Sequence, residues 1–166
     1  ETVLGTMRAL NRNLVVLSGD THNAWASDLL DFAGHQVGVE FATPGVSSPG
    51  LEEYFPLEHP LAVAGGLTQI IGPLQYANTA ARGFMVVTAT HTECTARWIY
   101  VSTVKSAGYV RVDGPALKTL PGAGNRKHTF RGRFRWPGHP RGCGEQVGCR
   151  NPEPPLGGSS PRVRGT

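Results

Sequence analysis

A carboxylate and an imidazole stand two residues apart, directly after an apolar run near the start of the chain. The run is Leu14–Ser18, and Gly19, Asp20, Thr21 and His22 follow it. The donors of Asp and His suit hard or borderline cations such as iron, zinc, manganese or calcium. Ligands at α/β sheets sit in loops beyond the carboxyl ends of strands, and a glycine lets the chain turn closely around an ion. Asp20 and His22 are therefore candidate metal ligands, with helix capping by Asp20 as the alternative.

Two further polar side chains could take part in the same chemistry. Asn23 could ligate a metal or hold a phosphate oxygen, although an Asn here more often caps the following turn, and capping is favoured. The forked donors of Arg82 suit phosphate, and a surface salt bridge is the equal alternative. The imidazoles of His35, His59 and His91 have no partner at metal-binding spacing, so we expect them to be exposed.

Several segments with strand character must position these residues. Strands are predicted at Leu14–Ser18, Gln36–Ala42, Gly83–Thr90 and Glu93–Val104, the last two as a hairpin. Because Leu14–Ser18 is continuously apolar, we expect both of its faces to be covered. The Asp113-Gly114 pair predicts a second hairpin, between Tyr109–Val112 and Ala116–Leu120. Cys94 falls in a predicted strand, where it should pack as a small hydrophobe.

The remaining segments read as helices and loops. Apolar residues at helical spacing predict that Glu1–Arg12 is the end of a helix. Ala24–Leu30 is predicted to be helix or turn, and Leu51–Phe55 and Pro60–Ile71 to be short helices. Thr43–Gly50 is dense in Pro, Gly and Ser and is predicted to be a loop. No apolar run reaches the roughly 18 residues of a membrane-spanning helix.

Charge divides the chain into two parts. Residues 1–125 carry a net charge of −3 and residues 126–166 a net charge of +7, so the basic balance belongs to the tail. Of those last 41 residues, 14 are Gly or Pro, which favours a disordered extension over a nucleic-acid-binding module. Cys143 and Cys149, near His139, lack the Cys-x-x-Cys spacing of a structural zinc site.

The tail also suggests translated repeat DNA. The segments His139–Glu145 and Ser159–Gly165 can be encoded by one GC-rich nucleotide string read in two frames. On this hypothesis the tail resembles a translated CRISPR repeat array with no evolved protein function. The nucleotide sequence of the locus tests it, because the hypothesis requires that repeat.

Five segments of the chain resemble, in order, the C-terminal half of the PhoD-type alkaline phosphatases and phosphodiesterases of the metallophosphatase superfamily. These segments are Leu14–Leu30, Val37–Gly50, Leu74–Thr90, Thr95–Val104 and Leu120–Lys127. The resemblance implies an α/β fold, the C-terminal half of a β-sandwich flanked by helices (α/β/β/α), with residues 1–127 as a partial domain and 128–166 as a disordered tail. In that family the other metal-ligand motifs lie upstream of the matching region.

The resemblance also carries expectations about function. Asp20 and His22 map onto the last metal-binding motif of the family, and Arg82 onto an arginine that recurs before its penultimate strand. The implied activity is hydrolysis of phosphate monoesters and diesters with trivalent iron and calcium, in an intact parent exported by the twin-arginine route. We expect this chain to be a fragment, inactive without the missing half; a non-catalytic relic is the alternative.

Overall fold

The computed structural model describes residues 1–56, 59–121 and the backbone of 126–127. The helices are α1 (Thr2–Ala9) and α2 (Pro60–Ile70), with a 3₁₀ turn at Leu51–Glu53. The strands are β1 (Leu14–Ser18), β2 (Ala24–Leu30), β3 (Gln36–Ala42), β4 (Leu74–Asn78), β5 (Arg82–Ala89), β6 (Cys94–Val101), β7 (Arg111–Thr119) and β8 (Arg126–Lys127). The predictions about the tail at 128–166, including its cysteines, lie outside the described residues.

The first sheet gathers three loops at one edge. Its strand order is β1-β3-β2-β4, with β1 parallel to β3 and β2 antiparallel to both of its neighbours. Ser18 lies opposite Ala42, Ala42 opposite Trp25, and Ala24 opposite Asn78. The carboxyl ends of β1, β3 and β4 therefore meet where β2 begins. The loops that carry the candidate site residues are brought together by this topology.

The second sheet is fully antiparallel, in the order β5-β6-β7-β8, and packs on the first. Trp98 on β6 is fully buried between the sheets, 6.0 Å from the ring of Phe41 and 5.1 Å from that of Tyr76. Its indole N–H donates to the Ala42 carbonyl at 2.9 Å. The hydroxyls of Tyr76 and Tyr100, 2.6 Å apart, join the sheets a second time, and burial raises the pKa of both phenols.

The helices of the described residues both contact the first sheet. Helix α1 packs against β3 and α2 against β4. The ring of His59 caps α2 by accepting the Leu61 N–H at 3.3 Å, and Pro60 occupies the first turn, where no N–H is needed. The result is a mixed α/β fold of two sheets and few helices. Among the described helices, none is long and apolar enough to cross a bilayer.

The prediction of helix or turn for Ala24–Leu30 is wrong, because this segment is strand β2. It pairs with β3 on one side and β4 on the other. Ala24 and Ala26 are fully buried under the second sheet, where a small side chain lets the two sheets approach. Tertiary pairing on both sides overrides the local preference of this segment.

The predicted hairpin at Asp113-Gly114 is also wrong, because β7 continues through this pair, with a register shift in its pairing with β6 at this point. A Cβ on Gly114 would lie 2.5 Å from Cε2 of Tyr100 and 3.0 Å from Cβ of Trp98. The glycine therefore serves close approach of two strands, a known use of strand glycines. Asp113 pairs with Arg97 of β6 and Arg111 of β7 at 3.0 and 2.7 Å, so its carboxylate is held by charges from both strands.

Strand β1 is less covered than its apolar sequence predicts. It lies at the edge of the four described strands, and Leu17 is 58% exposed. Cys94, in contrast, packs against the core as predicted, and burial raises the pKa of its thiol. The three histidines outside the motif, at positions 35, 59 and 91, are exposed as predicted.

The turn between β2 and β3 is closed by Asp31. This buried carboxylate accepts the backbone N–H groups of Ala33 and His35 at 3.0 and 2.8 Å and pairs with Arg8 of α1 at 2.6 Å. The His35 ring lies 3.1 Å from the same carboxylate. The His35 backbone N–H, helped by the His35 and Arg8 side chains, lowers the pKa of Asp31 to about 2.

Candidate functional site

The loop between β1 and β2 has an unusual backbone. Asp20 has φ of 70° and His22 has φ of 58°, so two non-glycine residues are left-handed within three positions. The Thr21 N–H donates to the Gly19 carbonyl at 2.8 Å, closing a γ-turn of the rare positive-φ form around Asp20. Such residues cost free energy and cluster at functional sites.

Thr21 stays in place between these two left-handed residues because its neighbours hold both of its oxygen atoms. The Trp25 indole N–H donates to its hydroxyl at 2.9 Å. The Asn23 side-chain amide donates to its carbonyl at 2.5 Å. Asp20 itself is exposed at the tip of the loop, where its carboxylate is accessible.

The imidazole of His22 is oriented by a backbone carbonyl. Its Nδ1 lies 3.0 Å from the Pro49 oxygen. Because a carbonyl oxygen can only accept, Nδ1 must carry the proton and donate. The neutral ring then keeps a lone pair on Nε2. A ring held by a hydrogen bond from one nitrogen, with the other nitrogen free, is typical of metal-binding histidines.

Asn23 is a cap, although for a different segment than the sequence indicates. The residue is only 3% exposed, and its Oδ1 accepts the Leu51 N–H at 3.0 Å. Leu51 opens the 3₁₀ turn that follows the loop after β3. Asn23 therefore links the two loops. Its predicted contribution to a metal or phosphate stays a prediction.

Gly50 lies where these loops converge. A Cβ at this position would lie 2.5 Å from Asn23 Oδ1, 2.7 Å from the Thr79 carbonyl and 2.9 Å from Glu52 Oε2. Three oxygens at these distances leave no room for a side chain. This position therefore requires glycine for close approach.

Arg82, at the start of β5, pairs with Glu52. One guanidinium nitrogen donates to Glu52 Oε1 and another to the Ala80 carbonyl. The Arg82 side chain is 12% exposed, and its buried Nε has no hydrogen-bond partner. The geometry matches the salt-bridge alternative, in a partly buried form. Binding of phosphate by Arg82 stays a prediction.

The Glu52–Arg82 pair also forms part of the wall of a cavity of about 520 Å³. The other walls come from α2, the turn before β5 and the segment after β6. Asp20 and His22 do not line this cavity. The candidate metal ligands therefore lie outside this cavity.

The structure thus joins the sequence-derived candidates through residues that the sequence did not single out. Asp20, His22 and Asn23 share one loop, and Arg82 reaches them through Glu52 and Gly50. Neither a glutamate in a short helix nor a glycine in a loop carries a motif by which sequence could have found them. Within residues 1–56 and 59–121, no group of three or more His, Cys, Asp or Glu side chains could hold a metal ion together.

Comparison with known proteins decides the family. The model of the PhoD-like phosphatase family matches residues 1–98, more than half of the chain. The chain belongs to the PhoD-like phosphatase family. That match includes the β1–β2 loop and Arg82, and it ends at Trp98, whereas the sandwich continues through β7.

A solved structure supports the same fold. The chain superposes on a structure titled "Structure of PhoD" with a TM-score of 0.59 at 22% sequence identity. The match covers 79% of this chain and 26% of the PhoD chain, so the present chain spans about a quarter of that protein's length. No curated protein matches the chain significantly. The PhoD-like family consists of phosphoric ester hydrolases that are generally metal-dependent.

Proposed function

We propose that this chain supplies Asp20 and His22 to the metal centre of a phosphatase that hydrolyses phosphate monoesters and diesters. The observation that carries the proposal is the strained β1–β2 loop, with φ of 70° and 58° at the two candidate ligands. Strain at two positions persists only where surrounding contacts impose it. Family membership supplies the reaction class.

The donor set fits part of such a centre. An exposed carboxylate and an imidazole with a free Nε2 suit a hard or borderline cation. Two side chains do not complete a coordination sphere, and the described residues contain no third member of the group. We propose that the remaining ligands come from polypeptide outside these residues, and that the chain alone has little or no activity.

The chemistry divides between the ion and the chain. A bound metal ion would polarise the phosphoryl group and make water a better nucleophile at neutral pH. Asp20 would contribute negative charge to hold the ion, and His22 a neutral nitrogen oriented by the Pro49 carbonyl. The chain's own contribution is positioning and charge stabilisation, as in most phosphoryl transfer. Arg82 would contribute positive charge near the substrate, tempered by its pair with Glu52.

We propose the identity of the metal ions and the cellular location of the protein from family membership alone. Trivalent iron and calcium are the ions we propose, in a parent exported from the cytoplasm, since the family is generally exported. The substrates are phosphate esters as a class. We propose no nucleic-acid partner.

Titration of the full chain with Mn²⁺ tests the metal site. The paramagnetic ion should broaden the ring NMR signals of His22 and leave those of His35 sharp, because His35 lies at the other end of β2. Replacing Asp20 with Asn should weaken the Mn²⁺ affinity at least tenfold, the lower bound for changes around metal ligands. Hydrolysis of bis-p-nitrophenyl phosphate and p-nitrophenyl phosphate is measured on the same samples.

The matched control is Asp31→Asn, which removes a carboxylate at the far end of the same strand. It should leave the Mn²⁺ affinity unchanged, provided that circular dichroism shows a folded chain. Equal broadening of His22 and His35, or equal loss of affinity in both Asp variants, would overturn the proposed site.

A further inference from the structure

We propose that Glu52 is a positioning residue for His22, acting through the Pro49–Glu52 segment. The inference rests on the proposed function, because it concerns the orientation of a proposed metal ligand. Glu52 lies in a 3₁₀ turn, and its carboxylate faces two loops at once. Its role is to fix the one carbonyl that orients the His22 ring.

The two carboxylate oxygens of Glu52 have separate partners. Oε2 accepts the Gly50 N–H at 3.0 Å, and Oε1 accepts a guanidinium nitrogen of Arg82. Arg82 also donates to the Ala80 carbonyl, which fastens it to the turn before β5. Glu52 therefore connects the segment after β3 to the strand β5 through charge-assisted hydrogen bonds, the stronger kind.

The backbone of the same segment is held at each consecutive N–H. The Gly50 N–H goes to the Glu52 carboxylate, the Leu51 N–H to Asn23 Oδ1, and the Glu52 N–H to the Thr79 carbonyl at 3.3 Å. With these donors fixed, the peptide before Gly50 has little freedom. The Pro49 carbonyl is consequently aimed at His22 Nδ1.

Loss of the Glu52 carboxylate leaves two donors without an acceptor. The Gly50 N–H and the Arg82 guanidinium would then turn to water, and the segment would relax. A moving Pro49 carbonyl no longer holds the proton on Nδ1, so the ring can place it on Nε2 and lose its free lone pair. The Glu52 effect is thus visible in the tautomer of a different residue.

The experiment measures the His22 tautomer in the full chain by ring ¹⁵N chemical shifts, at a pH where the imidazole is neutral. Wild type should carry the proton on Nδ1. In Glu52→Ala the ratio of the Nδ1–H to the Nε2–H form should fall roughly tenfold, as expected for one lost hydrogen bond. Glu52→Asp is made alongside it, so that a variant which fails to fold does not end the test, and it should restore part of the ratio.

The matched control is Glu53→Ala, a change of the neighbouring exposed carboxylate in the same 3₁₀ turn. It should leave the ratio unchanged. An unchanged ratio in folded Glu52→Ala or an Nε2–H ring in wild type overturns the inference, as does an equal shift in Glu53→Ala.

The Mn²⁺ titration separates this inference from the proposed function. If Glu52→Ala changes the tautomer ratio of His22 but Mn²⁺ does not broaden the His22 ring signals, the positioning role is supported and the metal site is overturned. If Mn²⁺ broadens these signals but Glu52→Ala leaves the tautomer ratio unchanged, only the positioning role is overturned.

Discussion

An aspartate and a histidine lie in the loop at each end of strand β2, and the two pairs differ in exposure and in backbone conformation. Before the strand, Asp20 and His22 both have a left-handed backbone conformation. The Asp20 side chain is exposed, and the His22 ring donates a hydrogen bond to the Pro49 carbonyl. After the strand, Asp31 is buried and accepts hydrogen bonds from two backbone N–H groups, with Arg8 and His35 as charged or polar partners.

The difference shows that residue type does not separate a site from a turn. Asp31 and His35 have the right donors for a metal, but each is already engaged in closing a turn. At the other end the chain accepts backbone strain and leaves a carboxylate accessible. Side-chain atoms that remain available to bind a metal, together with backbone strain, distinguish the candidate site from the structural turn.

The largest effect is expected from adding a side chain at the candidate-site end of β2, which leaves the Asp31 turn at the other end unchanged. Gly50→Ala should destabilise the fold by about 1–3 kcal/mol, the usual cost of overpacking. The backbone is not the reason, since φ of Gly50 is −100°; the added Cβ meets three oxygens within 2.9 Å. Urea unfolding gives the free energy, and NMR shifts should move around His22 and Asn23.

The control for this change is Gly72→Ala, where a Cβ would meet nothing within 4 Å. It should stay within about 0.5 kcal/mol of wild type. Shifts spreading equally to the Asp31 turn in Gly50→Ala would mean that the two ends of β2 are not independent.

A smaller effect comes from relieving the strain at Asp20. Asp20→Gly should raise the free energy of unfolding by about 0.5 kcal/mol, since the gain from removing the left-handed Cβ clash exceeds the entropy cost of glycine. The same change should abolish the Mn²⁺ response of His22. Chemical denaturation and the titration measure the two readouts.

Asn11→Gly is the matched control, because Asn11 is also left-handed, with φ of 49°, and lies outside the site loop. It should gain similar stability and leave the Mn²⁺ response intact. If Asp20→Gly instead lost stability, its carboxylate would be structural, and the contrast with Asp31 would disappear.

A third effect is confined to acid and belongs to the other end of β2. The pKa of Asp31 is lowered from 3.8 to about 2, so its contribution to stability is complete above about pH 4 and is lost as pH falls through about 2. Asp31→Asn should remove this part of the acid dependence in unfolding curves between those pH values.

Arg8→Gln should only reduce that dependence, because the backbone N–H of His35 is the largest cause of the lowered pKa. An Asp31→Asn chain that loses stability between pH 4 and pH 2 as steeply as wild type would show that Asp31 is not the acid-sensitive group.

Sequence patterns located the strands β1 and β3 at their observed bounds and the hairpin of β5 and β6 to within a few residues. They failed at β2 because its strand state depends on two partners distant in the chain. They failed at Gly114 because an Asp-Gly pair reads as a turn, whereas here it permits contact with Tyr100. Local signals carry no information about such approaches.

For the candidate site, sequence could name the residues and not their connections. Asp20 and His22 stood out by type, spacing and resemblance. The contacts that join Asn23 to Leu51 and Glu52 to Arg82 span 28 and 30 positions. They arise from the strand order of the first sheet, which no short motif encodes.

The buried indole of Trp98 has a consequence for how mutations in this chain would behave. It donates to Ala42, the last residue of β3, from a strand of the other sheet. The Ala42 carbonyl belongs to the peptide at which the Thr43–Gly50 loop begins, while none of the proposed ligands lies on β6. A screen for loss of the proposed metal binding should therefore score substitutions of Trp98 like substitutions in the loops of the candidate site. Through this one side chain, a position in the second sheet would be as sensitive to substitution as the loops of the candidate site.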